Sequence, residues 1–203
     1  MTVLTLSGSP SPNSRSARLL DHAAAQLRSR GLATRRIAVR ELPADALLGA
    51  RLDDATLAAA IAEVAQAQAI VLATPVYKAA YSGLLKSFLD LLPQDGLSGK
   101  LVLPLATGGS QAHLLALDYA LRPVLAALGA HHVLGSIYGT DAEIGSTPDG
   151  GLKLAAELER RIAEGVAHLD SVLARNAHAA RNADVLPHSP RAAIAAARMC
   201  CPF

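Results

Sequence analysis

A chain of 203 residues is long enough for one domain with a buried core, and 51% hydrophobic against 3% aromatic residues, with no Trp, leaves Ala, Leu and Val to build it. A net charge of +2, with arginines scattered along the helices, leaves no footprint for nucleic acid. No apolar run reaches the ~18 residues of a membrane span, and the two cysteines, adjacent Cys200 and Cys201, are poorly placed to staple a fold, so a soluble protein of the reducing cytoplasm is expected.

Thr2 to Leu6 reads as a buried strand, with no basic leader before it. The turn that follows, Ser7 to Ser16, reads as a phosphate loop. Gly8 lets backbone approach a ligand, Ser9, Ser14 and Ser16 offer hydroxyls, and Arg15 offers charge. The helix opening near Arg15 presents unpaired N–H groups and the positive end of its dipole to an anion. The loop has neither the Gly-x-Gly-x-x-Gly spacing of a dinucleotide turn nor the Gly-Lys-Ser/Thr ending of a triphosphate loop. Taken alone, it is equally an ordinary surface connection with a serine cap.

Leu19, Leu20, Ala23, Ala24 and Leu27 recur at helical spacing until Gly31. Thr34 to Val39 alternates as a second strand, and Leu57, Ile61 and Val64 mark a second helix. Gln68 to Ala73 is the strongest strand, a continuous apolar run of the kind buried on both faces of a parallel sheet. Thr74-Pro75 ends it. A third helix is expected from Ser82 to Leu92, and a fourth strand from Lys100 to Ala106, with an irregularity at Pro104. The loops 7–16, 74–81 and 107–113 then fall on one sheet edge, where open parallel sheets bind ligands. The first suits a phosphate; the other two offer backbone groups and close approach to a flat heterocycle. Together they suit FMN better than a sugar phosphate.

A fourth helix is expected over Gln111 to Leu128, but Pro123 inside it lacks an N–H and collides with the carbonyl of Tyr119. The helix must bend or bulge there, as a kink or as a π-bulge. Val133 to Tyr138 reads as the fifth strand, Thr140 to Gly151 as a loop, and Leu158, Ile162, Val166, Leu169 and Leu173 as a long amphipathic helix. Beyond Arg175 the pattern dissolves. This divides the chain into a domain over 1–175 and a weakly ordered tail over 176–203.

Thr74 to Gly83, Leu103 to Gly109 and Ala112 to Pro123, together with Gly8-Ser9-Pro10 and Ser14-Arg15-Ser16, closely resemble the NADPH-dependent FMN reductases of two-component alkanesulfonate monooxygenase systems. The likeness runs from about Met1 to Val133. It implies a flavodoxin-like α/β fold, a doubly wound five-stranded parallel sheet with helices on both faces. It also implies reduced FMN handed to a partner monooxygenase that desulfonates sulfonates, and a homotetramer with a π-helix at Tyr119. By the same resemblance Ser9, Ser14, Arg15 and Ser16 bind the FMN phosphate, while Pro75, Val76, Tyr77, Lys78, Thr107, Gly108 and Gly109 border the isoalloxazine.

The expected chemistry is hydride transfer from NADPH to FMN, with the protein supplying orientation and electrostatics and no side chain acting as acid or base. Backbone amides near Tyr77 and Gly108 are candidates to stabilise the reduced ring. His113 either touches FMN or caps a helix start, and Lys78 either meets NADPH phosphates or is solvated. His131 and His132 lack the neighbours of a metal site. Two rival readings use the same fold: an NAD(P)H-dependent quinone, azo or chromate reductase that retains its FMN, and a flavodoxin-type electron carrier. The mildly basic chain, with only Tyr77 and Tyr81 near the ring, disfavours the carrier.

Overall fold

The computed structural model describes residues 1–185. The chain begins with strand β1 (Thr2–Ser7), helix α1 (Arg15–Ser29) and strand β2 (Ala33–Ala38), followed by helices α2 (Ala44–Leu48) and α3 (Ala55–Gln66). Strand β3 (Ala69–Tyr77), the short β4 (Ala80–Tyr81), helix α4 (Gly83–Leu89) and strand β5 (Leu101–Gly108) come next. A π-helix at Leu117–Leu121 leads into α5 (Arg122–Ala127), then strands β6 (His132–Val133), β7 (Ile137–Thr140), β8 (Ile144–Ser146) and β9 (Leu152–Leu154), and helix α6 (Ala156–Val185).

The main sheet runs β2-β1-β3-β5 and closes with β6 and β7, both parallel to β5. This is the doubly wound order, whose winding reverses between β1 and β3. Both faces are buried, which is why β3 reads as an unbroken apolar run. Val3, Ala69, Val71 and Leu103 pack against Leu19, Leu20 and Leu27 of α1 and Leu158, Ile162 and Val166 of α6. The alternate residues Leu4, Leu6, Ile70 and Leu72 meet Leu57 and Val64 of α3, Leu85 and Phe88 of α4, and Leu125 of α5. One strand thus feeds two cores through its two-residue period.

Several elements differ from the sequence expectation. Strand β3 does not end at Thr74-Pro75 but runs on to Tyr77, with Pro75 still opposite Thr107 of β5. The third helix is shorter than Ser82 to Leu92: Ser82 caps it and it ends at Leu89. The fifth strand is split, because its register on β5 slips by one residue: Val102 faces Val133, but Leu105 faces Ile137. Pro104, with no N–H to donate, falls at that slip, so the irregularity it foretold appears in the neighbouring strand. The expected loop over Thr140 to Gly151 is partly an antiparallel hairpin, β8 with β9. The last helix continues through Val185, ten residues past Arg175, where its apolar period ends. Residues Met1–Leu173 form one compact unit, and a second begins at Ala174. The expected tail otherwise falls on 186–203, and with Cys200 and Cys201 lies outside the described residues.

The helix expected over Gln111 to Leu128 is three pieces: a 3-10 turn at Gln111–His113, the π-helix, and α5. Pro123 sits in the first turn of α5, where a missing N–H costs nothing. The backbone upstream widens instead, and Arg122 N–H donates to the carbonyl of Leu117 five residues back. Tyr119 stands 79% exposed on this bulge. No described helix is long and apolar enough to cross a membrane.

Candidate functional site

The carboxyl ends of β1, β3, β5 and β7 meet at one cleft of about 240 Å³. Its walls are Ser14 and Arg15 from the first loop, Pro75, Val76 and Tyr77 from the end of β3, and Thr107, Gly108 and Gly109 from the end of β5. Two further residues, Ser11 and Asp141, complete the lining. Ser9 and Ser16 are buried within the first loop and do not line the cleft, and neither do Lys78 and His113. Sequence reasoning missed Asp141, which follows the end of β7; the strand-edge argument extended to the fifth strand would have found it.

The first loop is held by its own serines. Ser14 is the N-cap of α1, its Oγ accepting from Ala17 N–H at 3.1 Å. Ser14 and Ser16 share a hydroxyl hydrogen bond of 3.2 Å, and Ser9 Oγ accepts from Ser11 N–H at 3.2 Å. A hydroxyl that accepts from a backbone amide keeps its proton for another acceptor. No acidic residue lies within the first turn of α1, so the helix itself places no negative charge at its positive end. Arg15 reaches across the rim to Asp141 at 3.3 Å. Ser7, fully buried where β1 ends, has a hydroxyl with no protein partner.

The second loop is tighter than the sequence suggests. β3 and β4 form a hairpin in which Tyr77 faces Ala80, and the two residues between, Lys78 and Ala79, have φ of 50° and 62°. Positive φ at both central residues is what a type I′ hairpin turn needs, and a non-glycine residue adopts it at a cost of about 1–2 kcal/mol. Tertiary contacts supply the offset. Ser82 N–H donates to Thr74 Oγ1 at 2.9 Å, its hydroxyl donates to the carbonyl of Gly8, and the same oxygen accepts from Leu85 N–H at 3.1 Å. Ser82 therefore ties the first loop, the second loop and α4 together. Ser82→Ala should lower stability by about 1–2 kcal/mol, the usual cost of a lost cap, and a denaturant titration with an unchanged midpoint would contradict this.

The third loop is built around a missing side chain. A Cβ on Gly108 would lie 2.1 Å from the hydroxyl of Tyr138, whose ring is 1% exposed. That hydroxyl donates to the carbonyl of Ser110 at 2.8 Å, and the Asp141 N–H donates to the carbonyl of Gly108 at 3.0 Å. Behind the strand end, Glu143 accepts from the N–H and hydroxyl of Thr140, both at 2.8 Å, and from Arg161 at 2.8 Å. Arg161 also donates to the Tyr138 carbonyl at 2.9 Å. Burial alone would raise the Glu143 carboxyl, but the Thr140 bonds and the Arg161 charge outweigh it and hold the group below its ordinary value. A depressed carboxylate contributes stability above the unfolded value near ~4.3 and loses it as pH falls through the folded value. Glu143→Gln should therefore melt lower than wild type at pH 7, with the gap closing in melts run below about pH 4.

The sequence profile of the NADPH-dependent FMN reductase family matches residues 1–143. The chain belongs to that family. Relatives agree in extent: an FMN reductase (NADPH) of Pseudomonas putida KT2440 is 44% identical over 179 residues, covering 86% of this chain and 89% of the relative. An FMN reductase (NADPH) of Escherichia coli K12 is 47% identical over 144 residues, covering 71% and 75%. Among solved structures, the apo form of an NADH:FMN oxidoreductase (EMOB) superposes with a TM-score of 0.75 at 41% identity, covering 83% of this chain and 87% of that one. An archaeal flavodoxin, 13% identical with a TM-score of 0.55 and covering 85% and 99%, shows the same fold and no more. Family membership and the flavodoxin-like sheet thus agree with the resemblance carried by the sequence motifs. Among the described residues no group of three or more His, Cys, Asp or Glu could hold a metal.

Proposed function

We propose that the chain is an NAD(P)H-dependent FMN reductase that passes reduced FMN to a partner flavin-dependent monooxygenase, with sulfonates as the substrate class served. The observation that carries this reading is the convergence of three loops on one cleft, with hydroxyls, a helix start and Arg15 at one end and backbone with small residues at the other. FMN fits the residues present. Its phosphate matches the amides at the start of α1, the Ser14 hydroxyl and Arg15, with Ser9 and Ser16 fixing the loop's shape. Its flat ring matches Pro75 to Tyr77 on one wall and Thr107 to Gly109 on the other.

Bound FMN supplies the ring that accepts a hydride from NAD(P)H. The protein's part is to orient that ring, hold its phosphate and keep water from it. Tyr77, 51% exposed at the cleft, offers an aromatic face at the entrance. Lys78 lies on the adjacent turn, free to meet an incoming nucleotide phosphate, and His113 stands on the 3-10 turn after β5. A cytoplasmic setting suits an enzyme that draws on NAD(P)H.

The deciding experiment follows NADPH oxidation against rising free FMN, with the flavin content of the purified protein recorded first. Saturable turnover that depends on added FMN supports release of the flavin. Turnover with tightly bound yellow flavin and an added quinone would replace the reading with a reductase that retains its FMN.

We also propose a homotetramer that buries Tyr119. The exposed Leu114, Leu115 and Tyr119 cluster on and before the π-helix, an apolar display that solvent does not favour. Tyr119→Ala should shift sedimentation toward smaller species at equal concentration; an unchanged profile would remove Tyr119 from the interface.

A further inference from the structure

A second cleft of about 390 Å³ adjoins the first, lined by Asn13, Ser14, Arg15 and Arg18 on one side and Ser146 of β8 on the other. Ser14 and Arg15 line both clefts and so form the wall between them. Arg18 lies one helical turn beyond Arg15, on the same face of α1. Its guanidinium donates to Ser146 Oγ at 2.8 Å and to the carbonyl of Gly150 at 3.2 Å. Both acceptors are neutral, and a guanidinium carries five N–H donors, so the positive charge and further donors remain available to an anion. The cleft is polar and cationic where the first is half apolar, so it suits a phosphate rather than a ring.

The hairpin that completes this cleft begins at Ile144, directly after the last residue matched by the family profile. The relatives named above divide between NADPH and NADH. These nucleotides differ only by the 2′-phosphate on the adenosine ribose, so a preference for NADPH calls for cationic or donor groups that meet that one phosphate monoester.

Resting on the reductase reading, we propose that Arg18 and Ser146 form the subsite for the 2′-phosphate of NADPH, with Arg15 shared between that phosphate and the flavin's. Arg18 takes the phosphate through its forked N–H groups, and Ser146, already positioned by Arg18, adds a hydroxyl. The hairpin β8–β9 therefore sets nucleotide preference.

The test is a calorimetric titration of the flavin-free full chain with 2′,5′-ADP and with 5′-AMP, ligands that differ by the 2′-phosphate alone. Wild type should bind 2′,5′-ADP at least about tenfold more tightly, as expected for charge-assisted bonds to a phosphate. Arg18→Ala should erase that preference, and Ser146→Ala, which removes one hydroxyl and leaves the cation in place, should reduce it about threefold. In steady-state assays Arg18→Ala should raise KM for NADPH about tenfold more than KM for NADH. Equal binding of the two ligands by wild type would overturn the proposal, as would Arg18→Ala weakening both alike, which would make Arg18 a staple for the hairpin. Loss of FMN binding in Arg18→Ala with the ligand preference intact would assign the cleft to the flavin phosphate and also overturn it. Should Arg18→Ala fail to fold, as judged by circular dichroism, Arg18→Gln and Ser146→Ala carry the same comparison. Because the titration needs no turnover, it can fail while FMN-dependent NADPH oxidation stands, and the reverse.

Discussion

Gly108→Ala is expected to remove most FMN-dependent turnover and to lower the melting temperature by several degrees. The new methyl group would sit 2.1 Å from the Tyr138 hydroxyl and 3.1 Å from its Cζ, against a ring that is 1% exposed. A buried tyrosine ring cannot swing aside as a long flexible chain would, so either the ring or the end of β5 must move. Either movement disturbs the bond from Tyr138 to the Ser110 carbonyl and with it the loop that walls the cleft. Overpacking of this kind costs about 1–3 kcal/mol, with about 1 kcal/mol more for the hydrogen bond. At about 2–4 °C per kcal/mol for a domain of this size, the shift is easily measured. The closest clash is with the hydroxyl oxygen, so adding Tyr138→Phe should restore part of the stability while leaving the loop without its Ser110 anchor. A double-mutant cycle by thermal melt and FMN titration isolates that coupling. Full stability in the single variant would mean that the loop yields freely and that Gly108 is not needed for close approach.

The contrast between Gly108 and its neighbour marks where sequence reading stops. Both glycines suggest close backbone approach, yet a Cβ on Gly109 would meet no protein atom within 4 Å. Only the tertiary position of Tyr138, thirty residues on, separates the two. The same holds for Lys78 and Ala79. Nothing in their side chains favours positive φ, and the turn forms because the β3–β4 pairing and Ser82 fix both its ends. Features written into one local stretch were legible. The unbroken run of β3 requires two buried faces, and the ring of Pro123 forces a bend or bulge near Tyr119, which the residues alone left open between a kink and a π-bulge and the family resemblance assigned to a π-helix. Features that depend on register were not. The split of the fifth strand needs the pairing of Pro104 with its neighbours, and the hairpin β8–β9 is made of two three-residue strands, too short to give a period. Asp141 could have been placed at the cleft by the strand-edge argument, but its role could not: a single carboxylate after a strand acquires meaning only when Arg15 is placed beside it.

That pairing leads to the second large effect. Arg15→Ala should weaken FMN binding about ten- to a hundredfold and leave riboflavin, which lacks the phosphate, within about twofold. The magnitudes separate binding from stability. Arg15 and Asp141 are 51% and 44% exposed, and an ion pair so open to solvent contributes only about 0–1 kcal/mol to the fold. The melting temperature should therefore hardly move, whereas charge-assisted bonds to a phosphate are worth about 1.5–3 kcal/mol. Asp141→Asn supplies the complementary test. It removes a carboxylate that competes with the phosphate for Arg15, so FMN should bind up to about fivefold more tightly, as a change of about 1 kcal/mol allows. Fluorescence titration with FMN and riboflavin measures both variants. Equal losses for the two ligands in Arg15→Ala would take Arg15 off the phosphate, and unchanged affinity in Asp141→Asn would make the pair irrelevant to the flavin. The expected pattern has a functional consequence. An arginine parked on a weak surface pair is available to an incoming phosphate, and the same carboxylate reclaims it when the flavin leaves, which suits the release of reduced FMN that we propose.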